Sequence, residues 1–434
     1  MSVYMSTIIV LVAMVAAFVL ASIFLKSPEI SLAITAVVGL LFGCGFGWTN
    51  SFPRVLVEGL FVNLDTALIF ITASVFVNFY AKSGALDTIT RGLVSKFNNK
   101  WLLLAAMGAL MLIPGALTGA GSISIFVLGT MVATIAGAMG LNKKRATAFV
   151  FMFAILSAAA PPVNLWAMMI ASGSDIPYVG FGLPLMVPII IVGIFTIIFL
   201  GWGTKRQSKE EVLASLPAPT EGMTWWRIAL PPAVLVVLFL LSNYAAHYIP
   251  ILGLPLMFVI SAIVAMLCNP KKIGLKGYGK IINDTFEQIF PLIATVLSVG
   301  MLQNAMSATG VKGLIGITFI TLPVVWIYAT VLFVAPFLQG ALNYGSAVVF
   351  GAPLVFLFNS MGFDPKIAAI ALSLMFPIGD CLPPSRITGR LAIEATGYEG
   401  KYMEFLKAVL IPCLVLGLIA LAMLIWPNKF TFLI

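Results

Sequence analysis

The sequence predicts an all-α polytopic membrane protein made of two inverted repeats. Three observations lead there: a composition that is 61% hydrophobic and 9% charged, apolar runs that recur from end to end, and motifs repeated 222 residues apart. A soluble domain carries about 25% charged residues. With 15 acids and 24 bases in 434 residues, this chain has too little polar surface to cover its apolar side chains in water. The runs are about 18–25 residues long, the length of helix that crosses roughly 30 Å of hydrocarbon. The +9 net charge is no nucleic-acid footprint, because the bases sit in short loops between spans and not along one stripe. Cys44, Cys268, Cys381 and Cys413 are isolated in apolar stretches, so neither a disulfide framework nor a metal site is expected.

In chain order, spans at 6–25 and 30–48 form an N-terminal scaffold unit, 1–55. The first span lacks a basic start and a small-residue cleavage site and reads as retained. The first repeat, 56–203, holds a span at 56–81, an amphipathic stretch, an apolar region at about 101–140, and spans at about 146–172 and 179–202. A polar cytoplasmic linker, 204–226, carries Lys205, Arg206, Lys209, Glu210, Glu211, Pro217 and Pro219. Scaffold spans at 227–247 and 251–268 and a basic loop fill 227–283. The second repeat, 284–434, has a span at 284–306, an apolar region at about 316–360, and spans at about 367–397 and 403–426.

The regions 101–140 and 316–360 fit poorly as simple crossings. Thr118, Gly119, Ala120, Gly121 and Ser122 interrupt one; Gln339 to Ser346 interrupts the other. Small and polar breaks at membrane depth are tolerated where the backbone is buried in protein or lines a wet cavity. Both regions therefore read as re-entrant hairpins. With the two termini outside, this topology places eighteen Lys and Arg in inside loops against four outside, as the positive-inside rule requires.

Pro161-Pro162 and Pro383-Pro384 lie 222 residues apart, as do Met139-Gly140 and Met361-Gly362, Ser124 and Ser346, and Gly129 and Gly351. Duplicated packing alone does not call for matched breaks. Inverted repeats with broken helices are the mark of secondary transporters that bind near the bilayer midplane. At each proline pair two amide donors are missing and the preceding residue leaves the helical region. The break exposes carbonyls on one side and the positive end of a half-helix on the other. Carbonyls with hydroxyls suit sodium; a half-helix start suits a carboxylate.

The cation-binding candidates are accordingly Gly121, Ser122, Ser157 and Pro161 in the first half and Gly345, Ser346, Gly379 and Asp380 in the second. The substrate-binding candidates are Thr118, Gly119, Asn164, Asn343, Ser385 and Arg386. Arginine holds carboxylates bidentately and keeps its charge, which makes Arg386 the anchor. Two readings compete: a simple proline kink at each pair, and an internal salt bridge of Asp380 or Glu394 with Arg386 and Arg390. Glu58, Asp65, Asp284 and Glu287 read as scaffold or dimer residues, and the lone histidine, His247, as a solvated loop residue. No catalytic constellation is present, so no enzyme and no cofactor beyond a coupling ion is expected.

The stretch from about Ile69 to Gly203 resembles the large permease subunit of TRAP-type dicarboxylate transporters. The likeness rests on Ser83-Gly84, the Thr118–Ser122 tip, Pro161-Pro162 and Ile176-Pro177, and 282–425 follows the same order less closely. That family belongs to the wider ion transporter superfamily, with the divalent anion:sodium symporters. The resemblance implies an elevator mechanism and sodium-coupled uptake of di- or tricarboxylates across the inner membrane. It also implies a homodimer, or else a small membrane subunit and a periplasmic binding protein as partners. Asp380 and the run Ser385, Arg386, Arg390 depart from the TRAP pattern. These residues leave room for an autonomous carrier and for proton coupling.

Overall fold

A computed structural model describes residues 3–48, 51–205, 209–244, 252–271 and 273–433. Arg206, His247 and Lys272 lie outside the described residues. The first half runs through α1 (Val3–Leu25), α2 (Pro28–Gly45), α3 (Phe52–Val62), α4 (Leu64–Lys82), α5 (Ala85–Lys96), α6 (Lys100–Thr118), α7 (Gly121–Ala138), α8 (Lys143–Ala159), α9 (Leu165–Gly173) and α10 (Gly182–Gly201). A short linker helix, α11 (Lys209–Ser215), leads to the second half. There follow α12 (Trp225–Tyr244), α13 (Leu254–Cys268), α14 (Leu275–Ala308), α15 (Val311–Ile320), α16 (Val324–Leu342), α17 (Ala347–Ser360), α18 (Pro365–Met375), α19 (Ile387–Thr396) and α20 (Tyr402–Ile425). Ten helices among the described residues are long and apolar enough to cross a membrane.

The helices sort into two bundles. In one, α2, α3 and α4 pack along α14, with α1 on α2, and α12 and α13 beside α4. This bundle joins the spans expected as scaffold to α3, α4 and α14, which the sequence reading places in the repeats. In the other, α8 is the axis: α6, α7, α10, α19 and α20 all pack on it. Every residue from Ala146 to Ala160 is buried, as is every residue from Ile367 to Pro377. A helix apolar all round is stable only inside such a bundle. At the periphery the pattern reverses, with Val12, Ile23, Ile194 and Leu418 each more than half exposed. An apolar surface that extensive needs lipid.

The repetition extends into the secondary structure. A π-helical turn occupies Ile125–Gly129 in α7 and Ala347–Gly351 in α17, again 222 residues apart. Gly140 and Gly362 both close the return arm with positive φ, 88° and 83°. Packing is reciprocal: α9 lies on α18 and on α17, just as α19 lies on α8 and on α7. Reciprocal contacts of this kind are what a pseudo-two-fold relation between the halves produces.

Three sequence expectations need correction. The span expected at 56–81 is two helices that meet at Asn63, whose side-chain amide reaches the Val296 carbonyl of α14. The second hairpin begins at Val324 and not at 316, because Gly310 (φ 72°) starts a separate helix, α15, that ends at Ile320. The span expected from 284 begins at Leu275, so Asp284 and Glu287 lie well inside α14. Its first turns carry Lys276, Lys280 and Asn283, which read as loop but continue the helix beyond the apolar part. Glu58 is an exposed residue paired with Arg54 at 2.7 Å.

Candidate functional site

The first break is stitched by Asn164. Its side-chain oxygen accepts from the Ala167 amide and caps α9, while its amide donates to the Ala159 carbonyl at 3.0 Å and to Ser373 Oγ at 3.2 Å. One residue thus ties both ends of the broken helix to the other half. The bond between Pro161 and Pro162 is cis, as is that between Pro383 and Pro384. The Tyr178 hydroxyl donates to the Pro162 carbonyl and accepts from the Asn164 amide.

The tip between α6 and α7 sits directly over this break. The Val163 amide donates to the Ala116 carbonyl at 3.0 Å. Gly119, with φ 72°, turns the chain, and Thr118 braces the turn from inside through the Pro114 carbonyl and the Ala120 amide. A Cβ on Gly121 would come within 2.6 Å of the Ala154 carbonyl oxygen, so only glycine lets α7 approach α8 this closely. The hydroxyl joining tip to break belongs to Ser124. Ser124 Oγ accepts from the Gly115 amide at 2.8 Å and shares a hydrogen bond of 2.9 Å with Ser157 Oγ. Ser124 lies half a turn further into α7 than Ser122, on the side that faces α8.

The second break is built around Gln339 of α16. Its carbonyl oxygen accepts from Trp166 Nε1 at 2.8 Å and from Ser346 Oγ at 2.7 Å. Its amide donates to Asn343 Oδ1 at 3.2 Å and to Asp380 Oδ1 at 2.9 Å. The other oxygen of Asp380 accepts from Thr388 Oγ1 at 2.8 Å. Asn343 has φ 52° and closes the hairpin tip. Ser385 joins break to hairpin through its amide, which donates to the Gly340 carbonyl at 3.1 Å. Gly379 lies against the Pro336 carbonyl with no space for a Cβ, whereas Gly345 faces Leu32 of the scaffold and not the break.

Arg386 occupies the cap position of α19 with φ 51°. It is partly buried, its guanidinium lies 4.9 Å from the Tyr402 ring centre, and its Nε is buried without a hydrogen-bond partner. No ion pair joins Arg386 or Arg390 to Asp380 or Glu394 among the described residues, which removes the internal salt bridge as an account of these groups. Arg390 and Glu394 are exposed.

Between the breaks the halves meet side by side. The Trp166 and Tyr344 rings are 5.0 Å apart, and the Tyr344 hydroxyl donates to the Gly119 carbonyl of the first tip. The halves are not chemically equal, however. Asn164, Trp166 and Ala158 correspond at the 222-residue offset to Arg386, Thr388 and Asp380. The first break is neutral; the second carries both charges.

Trp166, Thr388 and Tyr402 escaped the sequence reading, whereas Gln339, Tyr344 and Ser124 entered it only as part of a tip or of the repeat and not as site residues. A glutamine inside an apolar run was the one available signal, since polar groups at membrane depth default to function. Two cavities flank the site: one of about 480 Å³ against Pro161, Pro162 and Tyr178, facing Phe239 and Phe258 of the scaffold, and one of about 330 Å³ between Phe126 of α7 and Asn78, Lys82, Asp284 and Gln288.

No protein-family profile and no curated protein matches the sequence. Solved structures do. The Alcanivorax borkumensis YdaH transporter is similar at 12% identity with a TM-score of 0.59, over 89% of this chain and 90% of that one. Neisseria gonorrhoeae MtrF, described within a class of antimetabolite efflux pumps, is similar at 12% identity with a TM-score of 0.61, over 87% of this chain and 83% of that one. Likeness at this identity concerns the fold. The chain is a multi-pass membrane protein with a fold found in membrane transporters.

Proposed function

We propose that this protein is a secondary transporter of small organic anions, di- or tricarboxylates, driven by sodium. The observation that carries the reading is Arg386: a guanidinium at the start of a half-helix, free of any carboxylate, with a buried Nε–H that lacks an acceptor. A buried unpaired donor costs about 1–3 kcal/mol, and a carboxylate ligand would supply the missing acceptor. The α19 dipole adds to the attraction.

In this reading the hairpins and broken helices form a mobile domain that moves against the scaffold as an elevator, and the two halves are inverted about an axis in the membrane plane. Sodium takes hydroxyls and carbonyls at the first break, around Ser124 and Ser157, and the Asp380, Gln339 and Ser346 group at the second. The protein sits in the inner membrane, with both termini outside, as a homodimer. Its autonomy from a binding protein rests on Arg386, which offers the substrate a full charge within the membrane domain.

A second reading has its own observation. Asp380 receives two neutral donors and no cation, so a proton could serve in place of one sodium ion. The purified protein, screened against carboxylates by thermal shift with and without sodium at two pH values, tests both. Stabilisation by succinate or citrate that grows with sodium supports the first reading by mass action. Stabilisation that grows with acidity and ignores sodium supports the second. No stabilisation by any carboxylate removes the anion assignment.

A further inference from the structure

We infer that Tyr402 is a positioning residue that fixes the Arg386 guanidinium and so sets the affinity of the anion site. The inference rests on the reading of Arg386 as the substrate anchor and adds to it a residue on another helix. Tyr402 opens α20, the last long helix, and is separated from α19 by the turn at Gly397–Gly400.

Three contacts make the case. The Tyr402 hydroxyl donates to the Cys381 carbonyl at 2.7 Å, so the phenol is anchored to the backbone of the second break itself. The same hydroxyl lies against Gly389 of α19, where a Cβ would collide with it. The ring face then lies 4.9 Å below the Arg386 guanidinium. Arg386 stands in a left-handed backbone conformation that a non-glycine residue seldom adopts. Its Nε makes no hydrogen bond, and none of the acids nearby pairs with it. The Tyr402 ring is therefore the contact that holds the guanidinium plane. A contact with an aromatic face uses none of the N–H donors, so those of Arg386 stay unspent for a carboxylate.

The corresponding position of the first half is Gly180, at the 222-residue offset, and the corresponding cap is Asn164, which anchors itself by three hydrogen bonds. The half with the arginine has the tyrosine. In the half with the self-anchored asparagine the tyrosine of the break, Tyr178, stands two residues earlier and bonds through its hydroxyl to the backbone of Pro162 and Asn164.

The test uses the full-length protein in detergent or nanodiscs, with succinate and citrate as probes. Tyr402→Leu removes the ring and the hydroxyl. Tyr402→Phe keeps the ring and removes only the hydroxyl. The inference expects Tyr402→Leu to weaken carboxylate binding about threefold to thirtyfold, the range of a partly desolvated cation–π contact. Tyr402→Phe should stay within about twofold of the parent in affinity, even where its melting temperature falls. In an Arg386→Ala background, Tyr402→Leu should change affinity no further, because the tyrosine acts through the arginine.

The failures are distinguishable. Parent protein that binds no carboxylate, or Arg386→Ala that binds as the parent does, overturns the anion-site reading and this inference with it. A strong effect of Arg386→Ala together with parental affinity in Tyr402→Leu, or with full additivity in the double variant, overturns this inference alone. Equal losses of affinity in Tyr402→Phe and Tyr402→Leu would also overturn it, because they would place the effect in the break and not in the ring.

Discussion

Arg386 and Asp380 lie six residues apart on opposite sides of a proline pair and yet do not pair. Each is held by something neutral: Asp380 by Gln339 and Thr388, Arg386 by the face of Tyr402. In the transport reading proposed above, two charges left unpaired by each other serve ligands of opposite sign. Arg386→Ala is therefore expected to cost substrate a charge-assisted contact worth about 1.5–3 kcal/mol, roughly a tenfold to hundredfold loss of affinity. Arg386→Lys keeps the charge, loses the fork, and should fall between. Because no salt bridge exists to break, the double variant Arg386→Ala with Asp380→Asn should restore neither stability nor binding relative to Arg386→Ala alone. Affinity and melting temperature on the single and double variants check this; rescue by the double change would reinstate a charge pair. Arg386 was visible in the sequence because an arginine within an apolar span is costly wherever it points. Its support was not visible. Tyr402 lies on the next helix, and nothing in the sequence around it marks a phenol bonded back to Cys381. The Ser124–Ser157 contact was hidden for a related reason: which of two serines on a helical turn faces its partner depends on the local winding of α7, and that winding is irregular from Ile125 onward.

At the scale of elements, the hairpins and the proline breaks were legible because each is a local disruption with a chemical signature: small residues at the tips, missing amides at the prolines. What joined them was not legible. Trp166 and Gln339 are 173 residues apart, and the hydrogen bond between them needs the two breaks to be neighbours in space. The boundary at Asn63 was missed because the chain there has neither glycine nor proline to announce it. Within the first hairpin, the Ser124–Ser157 pair predicts a division of labour between serines. Ser124→Ala should raise the sodium concentration for half-maximal uptake about twofold to tenfold, the worth of one buried neutral hydrogen bond. Ser122→Ala should leave it near the parental value. Sodium titration of uptake in proteoliposomes separates the two; equal effects would place the ion away from α7. The close approach of α7 to α8 makes a further claim. Gly121→Ala puts a methyl group 2.6 Å from the Ala154 carbonyl oxygen, and neither backbone can yield without moving the tip. Overpacking of this kind costs about 1–3 kcal/mol. The variant should melt at lower temperature and bind carboxylate more weakly, whereas Gly137→Ala, where a Cβ meets open space, should do neither.

For the whole molecule, the question is how the halves lie relative to the membrane. Their reciprocal packing, α9 on α18 and α17 as α19 on α8 and α7, fits a pseudo-two-fold relation, whose axis can lie in the membrane plane or along its normal. The in-plane axis is the one proposed above, on the charge asymmetry of the loops: the turn before α8 carries Lys143, Lys144 and Arg145, whereas the matching turn before α18 carries Asp364 and Lys366. The seams between hairpins and scaffold differ in the same sense. Beside α7 the cavity is lined by Asn78, Lys82, Asp284 and Gln288; beside α17 the matching space is lined by Met14, Phe18, Leu302, Met306 and Val349, with Thr35 as its one polar residue. The first seam is thus the more polar of the two, and in the elevator reading proposed above it is the one open to water. Cysteines at Lys143 and at Met361, both exposed, decide the axis in inside-out and right-side-out vesicles. Three of the four native cysteines, Cys268, Cys381 and Cys413, are buried, so the parent protein gives the background set by Cys44. An in-plane axis expects an impermeant maleimide to label Lys143→Cys from the cytoplasmic face and Met361→Cys from the opposite face. Asn78→Cys should then label from the cytoplasmic face and be shielded by carboxylate with sodium, since that seam must close for the site to move. Labelling of Lys143→Cys and Met361→Cys from one face would make the halves parallel. A cation pocket and an anion anchor could survive that result, but an elevator between inverted hairpins could not.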